Sequence, residues 1–301
     1  MIGFGQNVYI PDANFKSYLV GNSAINTNGD TEIQVSEATT FSGAINCSNM
    51  NIADLTGIED FVALTYLDCY GNQLTILNVN QNTALTYLNC YTNQLTILDI
   101  SVNTALTWFS CGDNQLTSLD VSTNTALTEF DCRFNQLISL DVSNNTFLTR
   151  LWCTDIQLTS LDVSNNTALT NLKCDDNQLT ILDVSTNTAL TYLACNDNQL
   201  TSLDVRNGNN TNFTFFKTTI NPSLTCINVD NAVYSTANWT YLDAQQYFSI
   251  NCEGTTSIEE HSTNKKLLKV TDLLGRETKQ TNQPLFYIYD DGTVEKRIII
   301  E

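Results

Sequence analysis

Ten cysteines and one histidine are the residues of this 301-residue chain that could supply thiolate or imidazole chemistry, as nucleophile, redox group or soft metal ligand, and their spacing decides which. Cys69, Cys90, Cys111, Cys132, Cys153, Cys174 and Cys195 recur at one constant interval, with Cys47 one turn ahead of them. A nucleophilic thiol or hydroxyl needs a base beside it. The sole histidine, His261, sits far from the cysteine-bearing segment in a polar stretch, so no Cys-His or Ser-His pair can be assembled there. Equivalent side chains on adjacent parallel strands lie ~4.8 Å apart, further than the ~3.8 Å between the β-carbons of a disulfide. The column is therefore expected to be buried reduced thiols acting as small apolar groups, a metal or redox column being the alternative. Cys226 and Cys252 lie outside it and are expected to pair if the chain is exported to an oxidising compartment. No catalytic constellation is expected.

Oxygen-rich segments offer a second chemistry. The stretch NTNGDTEIQVSE resembles the EF-hand calcium loop, with Asn26, Asn28 and Asp30 at its first, third and fifth positions, Glu32 at the seventh and Glu37 at the twelfth. That resemblance implies calcium as a possible cofactor, held by hard oxygen ligands. Two asparagines stand where aspartates are usual, and Thr31 replaces the loop's glycine; the alternative is an Asn/Gly turn. Further on, Asp99, Asp120, Asp141, Asp162, Asp183 and Asp204 recur at one outward position. Carboxylates ~4.8 Å apart repel by about 1 kcal/mol even in water, so serines two residues on, such as Ser101 and Ser122, are expected to bond them, with divalent cations as the alternative. The column of Thr65, Thr86 and Thr107 lacks the Thr-x-Thr pairing of an ice-binding face.

Binding chemistry is expected on a different set. Tyr66, Tyr87, Trp108 and Tyr192 fall in one outward column and Tyr70 and Tyr91 in another, while Arg133, Arg150, Trp152 and Lys173 sit near the middle. Exposed aromatics beside scarce cations are what interaction patches are made of. Cross-strand packing of stacked rings is the alternative.

What positions these columns is a single sentence said seven times without insertion or deletion, from Leu64 to Thr211, beginning LTYLDCYGNQLTILNVNQNTA. A fixed period of this size means a solenoid. Leu67 and Cys69 alternate with Tyr66, Asp68 and Tyr70, the period of two that marks a strand with one face inward. The pattern LTxLxCxxNQLTxLDVSxNTA resembles the leucine-rich repeat. That resemblance implies that Asn72, Asn93, Asn114, Asn135, Asn177 and Asn198 turn inward and bond the backbone; Ile156 breaks the series, so a local irregularity is expected there. The back half of each copy repeats the grammar of the front half and is poor in helix formers, which points to strand or extended structure on both sides. The fold class is thus mainly β: a leucine-rich repeat solenoid plus a small C-terminal β-sandwich.

The remaining segments are read around that body. Residues 1–6 look like the remnant of a signal peptide; 7–63 form an N-terminal cap and degenerate first coil. Within it, IADLTGIEDFVAL is similar to internalin-type leucine-rich repeats, which are bacterial surface proteins. Residues 64–211 are the seven repeats, 212–252 a C-terminal cap with Trp239, Tyr241, Tyr247 and Phe248 plugging the open end, and 253–264 a linker. Residues 265–301 carry KVTDLLGRE and YIYDDGTVEKRIII, and resemble the C-terminal sorting domain of the type IX secretion system of Bacteroidota. That resemblance implies the secretion machinery as a partner and a secreted or outer-surface location. The net charge of −19 argues against nucleic acid, and no apolar run reaches the roughly 18 residues needed to span a bilayer. The expected function is a binding module for a protein or polysaccharide, the alternative being a structural or self-associating surface element without a dedicated ligand.

Overall fold

The computed structural model describes residues 6–252, 267–271, 277, 284–289 and 294–298. The chain divides into two compact units, Met1–Cys252 and Glu253–Glu301, each described by itself. Residues 1–5, most of the expected signal remnant, and His261 lie outside the described residues.

The first unit opens on two short helices. The carboxylate of Asp12 accepts from the free N–H groups of Asn14 and Phe15 at 2.9 and 3.0 Å and so starts α1, Ala13–Gly21. Phe15 and Leu19, four apart on one face, are buried. At α2, Val35–Thr40, Glu37 reaches back to the N–H of Gln34 at 3.0 Å. A single 3-10 turn, Ile58–Asp60, follows Gly57 at φ 103°. A β-carbon there would lie 2.9 Å from Ile10, Val8 and the Tyr9 carbonyl, so only glycine fits.

Beyond this cap the chain coils. Three-residue strands follow in order: β1 Ala44–Asn46, β2 Tyr66–Asp68, β3 Tyr87–Asn89, β4 Trp108–Ser110, β5 Glu129–Asp131, β6 Arg150–Trp152, β7 Asn171–Lys173, β8 Ile181–Asp183, β9 Tyr192–Ala194, β10 Ser202–Asp204, β11 Phe215–Lys217, β12 Cys226–Asn228 and β13 Tyr247–Ser249. A front sheet of nine parallel strands runs β1-β2-β3-β4-β5-β6-β7-β9-β11, and a back sheet of four runs β13-β12-β10-β8. Tyr66 stands opposite Tyr87, which stands opposite Trp108, so one copy of the repeat is one coil and one step along the sheet. Between β9 and β11 the coil is slightly longer, because the RNGNNTNF insertion is taken up in a 3-10 turn at Asn210–Asn212, and Tyr192 still meets Phe215. The back half of each coil carries no helix between residues 64 and 209, and it becomes strand only near the C-terminal cap.

Two polar ladders hold the coils in register. The Oδ1 of Asn72 accepts from Ile52 N–H at 3.0 Å while its Nδ2 donates to the carbonyls of Cys47 and Cys69 at 2.9 and 3.0 Å. The same set recurs at Asn93, Asn114, Asn135, Asn177 and Asn198. These bonds satisfy peptide groups that a tight buried bend would otherwise strand. Ile156 has no amide to offer, and Gln157 beside it takes φ 69°, a left-handed residue shared at this place by Asn51 of the degenerate first coil, at φ 54°, where Met50 likewise stands in the ladder position. The second ladder, Asn82, Asn103, Asn124, Asn145, Asn166 and Asn187, is fully buried. Asn103, for example, donates to Val79 and Asn82 carbonyls at 3.0 and 2.9 Å.

In the second unit β14, Leu267–Thr271, β15, Pro284–Tyr289, and β16, Val294–Ile298, form one antiparallel sheet in that order. Of the expected small sandwich, this sheet is the part that falls among the described residues.

Candidate binding surface

The ten residues singled out for binding all stand on the outward face of the front sheet. Strand pleating sends Leu67 and its equivalents inward and Tyr66 and Asp68 outward, and the parallel register then files equivalent residues into columns. In the first column Tyr66, Tyr87 and Trp108 stack face to face, with centroids 4.0 and 4.2 Å apart and planes within 8°. Glu129 and Arg150 follow as an ion pair at 2.9 Å, partly open to solvent and so worth little to stability. Further along, Tyr192 stacks on Phe215 at 4.5 Å.

At the middle of the sheet the cations and rings interleave. Arg133 donates through Nε and Nη2 to the carboxylate of Asp131 at 2.9 and 2.8 Å. That two-point bond holds the guanidinium pKa above its ordinary value, against the opposing pull of burial. The guanidinium lies 5.2 Å from the ring of Trp152 and 5.8 Å from that of Tyr91. Lys173 Nζ lies 5.4 Å from the ring of Trp152 and 5.5 Å from that of Tyr192. The Trp152 indole N–H donates to Asn171 Oδ1 at 3.0 Å. Tyr91, Arg133, Trp152, Lys173 and Tyr192 thus form one continuous patch. Tyr70 joins it through Tyr91 at 6.0 Å, and Arg150 sits beside it in the first column. The ion-pair partners Asp131 and Glu129 complete the patch. A signal for Glu129 exists in the sequence, since it stands one full repeat before Arg150 and therefore directly opposite it.

The other candidate chemistries resolve differently. All eight column cysteines are buried and free, and Cys69 Sγ donates to the Asn89 carbonyl at 3.2 Å. Burial pushes Cys47 and Cys90 up to about 12 and drives the rest of the column in the same direction, which withholds the thiolate that nucleophilic attack or metal ligation needs. Cys226 and Cys252 are joined, with Cα atoms 5.6 Å apart, tying β12 to the chain just past β13.

In the N-terminal loop the five calcium candidates bond one another and their own backbone. Glu37 Oε1 accepts from Thr27 N–H at 2.8 Å and Asn28 N–H at 3.2 Å. Asn26 donates to the Asp30 carbonyl at 2.7 Å, Asn28 to Asp30 Oδ2 at 3.0 Å, and Glu32 pairs with Lys16 at 2.6 Å. Among the described residues no group of three or more His, Cys, Asp or Glu could hold a metal ion. On the back, the backbone N–H of Ser101 donates to Asp99 at 2.9 Å and that of Ser122 to Asp120 at 2.8 Å, a turn repeated at Asp141, Asp162 and Asp183. The serine bonds lower the pKa of Asp99, Asp120, Asp141 and Asp162. The hydroxyls of the threonine column are engaged too, Thr86 donating to the Thr65 carbonyl at 3.1 Å and Thr107 to that of Thr86 at 3.2 Å. No helix among the described residues is long and apolar enough to cross a membrane.

With the geometry in hand, the chain can be set beside known proteins. No family model matches it. Over 77 residues, 26% of the chain, it is 36% identical to internalin J of Listeria monocytogenes serotype 4b, of which that stretch is 8%. Among solved structures, the functional domain of InlJ from Listeria monocytogenes, which includes a cysteine ladder, is 34% identical with a TM-score of 0.61 over 81% of this chain and 62% of that one. Internalin C2 of the same species matches at 19% identity and a TM-score of 0.62, over 73% of this chain and 98% of its own length. The chain spans less than two thirds of the solved InlJ domain and a small part of full internalin J. The fold is a leucine-rich repeat solenoid, internalin-like in its coils, and its file of buried cysteines is a feature to set beside the cysteine ladder of the InlJ domain.

Proposed function

We propose that this chain is a protein-binding module that docks its ligand on the front sheet, and that it works outside the cell after export by type IX secretion. The observation that carries the reading is the patch of Tyr91, Arg133, Trp152, Lys173 and Tyr192, continued by the Tyr66, Tyr87 and Trp108 stack, on an otherwise acidic body. Side chains that vary from coil to coil on an invariant scaffold are how a repeat protein sets specificity. Ring orientation favours protein over polysaccharide. A sugar stacks on an open aromatic face, whereas Tyr87 has a ring against each face and Trp152 has Arg133 and Lys173 beside it. What these rings present outward is edge, hydroxyl and cation.

The test is an array of surface proteins and glycans probed with the full chain and with a Trp108→Ala, Arg150→Ala, Trp152→Ala variant. Binding to a protein that the variant loses at unchanged melting temperature is the expected result; unaltered binding, or capture by glycans alone, overturns the reading. The export half rests on the sequence of residues 265–301. Appended to a reporter in a type IX-competent host, that segment is expected to bring the reporter to the outer surface, and retention of the reporter in the periplasm would refute it.

A further inference from the structure

The body of the solenoid, residues 7–252, contains six cations among 23 acidic residues. Four of the six are neutralised: Lys16 by Glu32, Arg133 by Asp131, Arg150 by Glu129 and Arg206 by Asp204. In a chain with so large an excess of carboxylates, a lysine without one is the exception. Among the described residues Lys173 and Lys217 have no carboxylate within 4.0 Å. Both occupy the same outward column of the front sheet, at the last position of β7 and β11. Register places Lys173 against Ala194 and Ala194 against Lys217, so the two lysines flank Ala194 in adjacent steps of about 4.8 Å.

Ala194 stands between them and is 5% exposed. The same column carries Asp131 and Trp152 in earlier coils, so the small side chain of Ala194 separates the two lysines beside the Tyr192 and Phe215 positions of the first column. Lys173 is held in place by the rings on either side of it, Trp152 and Tyr192, which stabilise its charge without using its three N–H donors.

We propose that Lys173 and Lys217, one coil either side of Ala194, seat a carboxylate of the protein ligand, an aspartate or glutamate side chain of an acidic segment lying across the C-terminal half of the front sheet. The inference rests on the front sheet being the docking face and names the chemistry of what docks there. Two ammonium groups that hold no carboxylate of their own have charge-assisted bonds to offer a carboxylate of the ligand. The covered ring faces of Tyr192 and Trp152 argue against a uronic acid polymer, which would bring sugar rings along with its carboxylates.

The experiment uses the full chain and a fluorescein-labelled peptide with a run of glutamates, its glutamine counterpart, and an oligogalacturonate of similar charge. The glutamate peptide is expected to bind at low salt, to weaken as salt is raised, and to lose about ten-fold or more in affinity in a Lys173→Gln, Lys217→Gln variant. The glutamine peptide is expected to bind at least ten-fold more weakly to the unaltered chain. Equal binding of the two peptides, binding of the glutamate peptide indifferent to the double substitution, or tighter binding of oligogalacturonate than of the peptide overturns the proposal. Conversely, if an array-identified protein ligand is lost on Trp108, Arg150 and Trp152 substitution but retained by the lysine variant, the docking face stands and the carboxylate seat falls. A Lys173→Arg, Lys217→Arg variant that keeps the glutamate preference excludes misfolding as the cause of any loss.

Discussion

Eight free thiols buried in one file make the solenoid's stability depend steeply on alkaline pH. Burial raises Cys47 and Cys90 from the ordinary thiol value of 9.0 to about 12 and moves the others of the column the same way. In the unfolded chain the thiols ionise near 9.0, whereas in the folded chain they stay protonated. The folded state therefore binds more protons above about pH 9, and stability falls as pH rises through the window from about 9 to about 12. Each thiol with an unfolded value of about 9.0 and a folded value near 12 lowers stability by about 1.4 kcal/mol at pH 10. For Cys47 and Cys90 together that is about 3 kcal/mol, a sizeable part of the folding free energy of an ordinary domain, about 5–15 kcal/mol, and burial moves the rest of the column in the same direction. Urea unfolding followed by circular dichroism at pH 8, 9 and 10, in degassed metal-free buffer, is expected to show stability collapsing across that range. Burial raises Tyr87, Tyr91 and Tyr192 on the front sheet in the same direction, so the discriminating sample is a Cys47→Ala, Cys90→Ala variant. Relative to the unaltered chain it should lose about 3 kcal/mol less between pH 8 and pH 10, whatever its stability at pH 8. A flat profile in the unaltered chain, or an identical decline in the variant, would refute a column of protonated, water-excluded thiols.

Further outcomes follow from local geometry. Asn114→Leu strips the Leu95 N–H of its acceptor and the Cys90 and Cys111 carbonyls of a donor, and should cost about 3–5 kcal/mol in urea unfolding. Ile156→Asn restores those bonds at the cost of a buried apolar side chain and should change stability by under about 2 kcal/mol in either direction. Ile220, exposed and held at φ 60°, should gain about 1 kcal/mol on replacement by glycine, while Gly71→Ala should destabilise measurably, since its β-carbon would lie 2.3 Å from Asn49 Oδ1. Reduction of Cys226–Cys252, which closes a loop with a sequence separation of 26, should cost about 3 kcal/mol; loss of protection from hydrogen exchange confined to β12 and β13 is the pattern to look for, and uniform loss would argue against a local staple.

Much of the fold is legible in the sequence because a strict repeat leaves little freedom: once Leu67 and Cys69 point inward, every later coil is placed. Asn72 and its equivalents declare themselves in the same way. The second ladder is visible as the recurring NTA, but as an echo of the first half-coil it carries no sign of its depth in the core. The uneven back side is hidden for a different reason. LTILD occurs at 95–99 and at 179–183, yet only the later copy is a strand, because β10, β12 and β13 of the cap stand beside it to pair. At the binding surface the sequence names the residues but not the direction their rings face, which depends on neighbours one coil away. Tyr87 is edge-on to solvent because Tyr66 and Trp108 cover its faces. Arg133 is neutralised by Asp131, two positions before it, a pairing that alternation on one strand face places within reach.

Because each coil hands its backbone bonds to the next through equivalent groups, Thr86 N–H to the Thr65 carbonyl and Thr107 N–H to that of Thr86, no coil holds a privileged place in the middle of the stack. Excising residues 106–126 would bring the Thr128 N–H onto the Thr86 carbonyl with every neighbour still of the right kind, and duplicating them would do the same in reverse. A gene built this way can lengthen or shorten its product by unequal recombination without ever exposing a raw core, so that reach, in steps of about 4.8 Å, is tuned separately from what is gripped.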